Sequence, residues 1–91
     1  MYKIINVTDR EGNVKEEFMK EMAAAHPGMS GKLLYPINKN LVNTYLISLC
    51  LVWTDRSDKM LRTSTILDYS EQDNLIIVTT MNSIYTLEKI G

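Results

Sequence analysis

The side chains able to do chemistry are few, and their spacing restricts what they can do. One histidine, His26, and one cysteine, Cys50, occur in 91 residues. A metal site built on nitrogen and sulfur needs a cluster of such ligands, and one of each cannot supply it. A hydrolytic triad needs a base held by an oriented partner, and His26 has none in view. Its place at the end of a predicted helix suits a cation facing exposed carbonyls. Cys50 lies inside an apolar run and reads as a small core hydrophobe.

Asp68, Glu71 and Asp73 gather around an expected turn. They lack the alternating acids, central glycine and distal glutamate of a calcium loop, and read as a solvated hairpin tip. Gly28-Met29-Ser30-Gly31-Lys32 invites comparison with a phosphate loop. Its glycines are too close together, Leu33 stands where Ser or Thr would hold magnesium, and a helix precedes it instead of a strand. No catalytic residue, metal or cofactor is assigned. What remains is a polar patch of Thr63, Ser64, Thr65, Thr79, Thr80, Asn82 and Ser83 beside Arg62, Tyr69 and Tyr85. Such a patch can line a ligand groove, although threonine is also an ordinary residue of a solvated strand face. Arg62, Ser64, Tyr69, Thr80, Asn82 and Tyr85 are the expected ligand or partner surface.

The elements that must position these residues follow from periodicity. Tyr2–Thr8 is rich in β-branched residues and predicts a strand. Asn13 followed by Glu16 has the spacing of a reciprocal helix cap. Val14, Phe18, Met22 and Ala25 then fall at helical spacing, which predicts a helix over Val14–His26, ended by Pro27 and Gly28. Short strands are expected over Lys32–Tyr35, Thr44–Trp53, Met60–Asp68, Leu75–Thr80 and Ile84–Ile90. Polar turns at Asp55–Lys59, Ser70–Asn74 and Met81–Ser83 separate the later ones. In Met60–Asp68 the alternation sets Leu61, Thr63, Thr65 and Leu67 against Arg62, Ser64 and Ile66. Both faces of Thr44–Trp53 are largely apolar, which predicts a strand covered on both sides. The second face must be covered by curling the sheet into a barrel or by a second copy of the chain. A barrel with a residual apolar patch, open to homodimer formation, is the expectation.

The composition, 45% hydrophobic and 23% charged, is that of one folded domain spanning residues 1–91. The net charge of −1 argues against nucleic acid as a general partner. The mildly basic middle, Lys32, Lys39, Arg56, Lys59 and Arg62 against Asp55 and Asp58, is scattered along the chain. No basic-then-apolar segment opens the sequence, so a cytoplasmic location is expected. The longest apolar run, Tyr45–Trp53, is too short to span a bilayer, so no membrane role is expected.

Arg62-Thr63-Ser64, Ile76-Ile77-Val78-Thr79-Thr80 and Asn82-Ser83-Ile84-Tyr85-Thr86-Leu87 together resemble small uncharacterised proteins of bacterial phages and mobile elements. The shared feature is a terminal hairpin of the form Thr-x-Asn-Ser-x-Tyr-x-Leu, and the likeness covers about the last third of the chain. It implies no activity and carries over no catalytic residue. Asn82 is expected in the left-handed turn conformation, Ser83 bonded to the local backbone and Tyr85 packed across the hairpin. The motif would then be a mark of the fold.

The sequence therefore predicts an α+β domain. One N-terminal α-helix packs on a small antiparallel β-meander, or on an SH3-like or OB-like barrel, of about five strands. The expected function is non-enzymatic: a binding or protein-interaction module, of the kind a phage or mobile element uses to engage a host factor. A nucleotide or single-stranded nucleic-acid binder is the alternative, and a small enzyme comes third.

Overall fold

Alternating burial organises the C-terminal half of the chain. In Leu75–Thr80 the side chains of Ile76, Val78 and Thr80 are buried, and in Ile84–Lys89 those of Tyr85 and Leu87 are. Each strand thus turns one face inward, as the two-residue period requires. The structure is a computed structural model and describes residues 1–18, 27–34, 37, 40, 42, 47–53 and 60–90. The described residues form six strands: β1 (Tyr2–Thr8), β2 (Ser30–Leu33), β3 (Ser48–Trp53), β4 (Met60–Gln72), β5 (Leu75–Thr80) and β6 (Ile84–Lys89). They form a closed barrel in sequential order, every pair antiparallel, with β1 completing the ring against β6. The core is Ile4, Val7, Leu49, Leu51, Leu61, Ile66, Ile76, Val78, Tyr85 and Leu87. Full burial of aliphatic side chains of this size contributes about 1.5–3 kcal/mol each.

The α+β expectation is overturned. The described residues contain no α-helix, only a 3-10 turn at Glu16–Phe18. Positions 19–26 of the predicted helix, His26 among them, lie outside the described residues. Asn13 does not cap a helix. Its backbone N–H donates to Asp9 Oδ1 (2.9 Å), its carbonyl accepts from the Asp9 N–H (2.8 Å), and Asp9 also accepts from the Glu11 N–H. These bonds, the Asn13 one foremost, hold the Asp9 carboxyl below its ordinary 3.8. Val14 then bridges Thr8, and the Lys15 N–H donates to Val7 O (3.2 Å). The physical reason lies in β1. Strand β2 pairs only with its first two residues, at Tyr2↔Gly31 and Lys3↔Ser30. The remaining backbone groups on that edge need partners, which Gly28, Met29, Val14 and Lys15 supply.

The six strands of the described residues fall at the six segments predicted as strands. The expected strand Lys32–Tyr35 is Ser30–Leu33, and Tyr35 lies outside the described residues, as do 44–46 at the start of the longest strand candidate. In β3, Leu49 and Leu51 are buried in the barrel, so closure covers that face. Asp55–Lys59 also lies outside the described residues.

Strand β4 runs 13 residues and serves two neighbours: Met60–Thr65 pairs with β3, and Ile66–Gln72 with β5. It carries an extra residue in each ladder. One register shift falls opposite Ser48–Cys50, and the other lies between Ile66 and Asp68. Bulges of this kind bend a strand, which lets one strand turn the corner of a small barrel. They also reset the inward phase twice. Leu61 and Thr63 face in, then Ile66, contrary to the strict alternation expected, and then Tyr69 and Glu71 opposite Val78 and Ile76. At the first shift the Leu49 N–H donates to the Thr63 hydroxyl (3.1 Å), which in turn donates to Ser64 O.

Gly31 marks the tightest seam. A Cβ there would lie 2.5 Å from Val52 O and 2.9 Å from Leu51 Cγ, so only glycine lets β2 approach β3 so closely. No helix among the described residues is long and apolar enough to cross a membrane.

Candidate functional site

The barrel has two dissimilar ends. Thr8, Thr80, Ser83 and Ile84 mark one of them, and Tyr2, Glu71, Leu75 and Lys89 the other.

At the first end the β5–β6 connection ties itself shut. The Thr80 hydroxyl donates to Ser83 O (2.9 Å) and accepts from the Ser83 N–H (3.1 Å), while the Thr80 N–H also donates to Ser83 O (2.8 Å). The Met81 N–H reaches Thr65 O (3.0 Å). Thr80 is 0% exposed and Ser83 2%. Tyr85 lies in the core opposite Val78. Burial raises its phenol above the ordinary 10.0, and a hydrogen bond from Ser83 offsets part of that rise. Asn82 does not adopt the left-handed conformation. Among the described non-glycine residues only Asp73 does, with φ 55° in the two-residue β4–β5 turn. The Thr80–Leu87 motif is therefore a clasp: the Thr80 hydroxyl closes the turn onto the Ser83 backbone, and its Tyr and Leu enter the core.

At the second end the inner surface opens into a cavity of about 140 Å³. The described residues lining it are Tyr2, Leu33, Ile37, Tyr69, Glu71, Ile76 and Lys89. Strand pairing explains why they meet. Tyr2 stands opposite Lys89 because β1 closes on β6, and Glu71 stands opposite Ile76 because the β4 bulges restore its inward phase. Ile37 comes from the β2–β3 connection. The floor is apolar, with Ile76 only 3% exposed. The rim is polar. The Tyr69 hydroxyl donates to Glu71 Oε2 (2.9 Å), and Lys89 Nζ lies 3.6 Å from Glu71 Oε1, the Lys89 side chain being 52% exposed and that of Glu71 44%. The hydrogen bond to Glu71 holds the Tyr69 phenol above its ordinary 10.0, with burial adding to it.

The expected surface is thus divided. Tyr69 alone lines the cavity. Thr80 and Tyr85 are buried at the clasp, Asn82 is exposed on its turn, and Arg62 is exposed opposite Cys50, with Ser64 half-buried two residues along β4. Glu71 read as part of a solvated turn because β4 was expected to stop at Asp68. Tyr2 and Lys89 escaped notice because they are far apart in sequence. The signal that could have found them is the closure itself, since joining the first strand to the last sets their ends side by side. Asp68 and Asp73 do not join Glu71, and no three metal-ligating side chains converge among the described residues.

Comparison of the chain with protein families, with curated proteins and with solved structures found no match. The functional reading rests on the geometry of the open end.

Proposed function

We propose that the protein is a non-enzymatic interaction module that captures one apolar side chain of a partner protein in the cavity at the open end of the barrel. The depth order of the cavity carries this reading: Ile76 at the bottom is buried, while Glu71 and Lys89 at the mouth are about half exposed. A side chain entering from solvent arrives tip first, so the apolar floor selects an apolar tip. The size suits one ring, since a cavity of roughly 150 Å³ lined by aliphatic side chains takes up benzene.

A second reading, a nucleotide or single-stranded nucleic-acid binder, draws on Tyr2 and Tyr69, because tyrosines stack bases. Lys89 is the one cation among the described lining residues, and Glu71 beside it repels phosphate. The protein-interaction reading is therefore preferred.

Titration with toluene, followed by NMR, tests it. Shifts should concentrate at Leu33, Ile76 and Tyr69 and vanish in Leu33→Trp, whose indole fills the cavity from its half-buried wall. Shifts scattered over the surface, or unchanged in Leu33→Trp, would sink the reading. Tighter binding of a short oligonucleotide than of any apolar probe would favour the second one.

A further inference from the structure

The rim holds more hydrogen-bonding capacity than an apolar side chain needs. Charge-assisted N–H···O bonds run about 2.7–2.9 Å. The Lys89–Glu71 separation of 3.6 Å is longer, so Oε1 keeps its acceptor sites. Oε2 is held by the Tyr69 hydroxyl, which braces the carboxylate at the cavity mouth. Lys89 carries three donors on a flexible stem. A half-exposed pair of this kind contributes about 0–1 kcal/mol, so an incoming group separates it at little cost.

An acid beside a base is matched by a ligand that is itself a donor beside an acceptor. A ligand with a single charge is attracted by one member of the pair and repelled by the other. A peptide backbone has the required form, with an N–H and a C=O a few ångströms apart on either side of the residue whose side chain projects. We propose that Glu71 and Lys89 read the main chain of the partner around an inserted aromatic residue. Glu71 Oε1 accepts a backbone N–H, Lys89 Nζ donates to a backbone carbonyl, and the ring descends between Tyr2 and Tyr69 onto Leu33, Ile37 and Ile76. The proposal rests on the cavity being the binding site and specifies what fills its mouth.

N-acetylphenylalanine amide and toluene separate the two claims. Both carry the ring, and only the first carries the backbone groups. The amide should bind the full chain at least about tenfold more tightly, the factor that one hydrogen bond to a charged group supplies. Glu71→Ala and Lys89→Met should each lower the affinity for the amide more than that for toluene, so that the ratio of the two falls toward one. Equal affinity of the two probes in the unaltered protein, or variants that weaken both equally, would overturn backbone reading and leave the cavity reading intact. Tighter binding of phenethylammonium or 3-phenylpropanoate than of the amide would overturn it in favour of a charged ligand. Binding of neither toluene nor the amide would overturn both claims together.

Discussion

At one end of the barrel the Thr80 hydroxyl and the Ser83 backbone N–H and C=O are buried and satisfy one another within a single turn. At the other, Tyr69, Glu71 and Lys89 stand half-buried or exposed around a cavity, and a carboxylate oxygen keeps acceptor sites in reserve. The polar atoms at the clasped end are committed to the fold. Those at the open end are held in place but not used up. Sequence composition does not separate the two, since hydroxyls and aromatic rings occur at both. Burial and bond count do: a polar group whose partners are all internal supports structure, whereas one braced on one side and open on the other is available to a ligand.

The largest effect should come from breaking the barrel wall at the β2–β3 seam. Gly31→Val places a branched side chain where even a Cβ meets Val52 O, and overpacking of this kind costs about 3 kcal/mol. Urea denaturation should show it, and an unchanged midpoint would mean that the β2–β3 seam is not tight. Thr80→Val keeps the shape of the clasp and leaves the buried Ser83 N–H without its acceptor, for a loss of about 2 kcal/mol. If that variant matches the parent in melting temperature, the contrast between the ends fails.

A smaller effect is alkaline. Because the Tyr85 phenol is raised in the folded state, its contribution is intact below the ordinary 10.0 and is lost as pH climbs through the folded value. Tyr85→Phe should flatten the alkaline fall in stability, and a fall of the same steepness would assign it elsewhere. Smallest of all, Glu71→Gln should change stability by about 0.5 kcal/mol or less, as expected for a half-exposed pair. A loss comparable to that of Thr80→Val would make the open end a second clasp.

Much of the sheet was legible in the sequence. Tyr2–Thr8 and Leu75–Thr80 have the predicted bounds, and Ile84–Lys89 falls one residue short of the prediction. In these segments β-branched alternation and flanking turn residues agree. The helix was misread because Asn13, Glu16 and the Val14–Phe18 spacing form a consistent local pattern. That pattern yields to the unpaired edge of β1 just upstream, which captures Val14 and Lys15. Ile66 was assigned to the wrong face because a bulge adds one residue without a sequence mark; Ser64, Thr65 and Leu67 around it are neither glycine nor proline. Tyr69 was found as an aromatic in a polar patch. Its partners were not, since Tyr2, Glu71 and Lys89 meet only through the closure of the ring.

That closure also orders events in time. Strands β4, β5 and β6 are joined by turns of a few residues, so their pairing needs little loop-closure entropy. The β1–β6 seam joins residues about as far apart as the chain allows, and contacts of long sequence separation slow folding. A nascent chain cannot complete the ring, or assemble the cavity at its open end, until residues 84–89 have left the ribosome. Until then β1 presents an unpaired edge to whatever is nearby. Pulsed hydrogen exchange during refolding should protect β5 amides before those of β1, and simultaneous protection would show that the ring closes in one step.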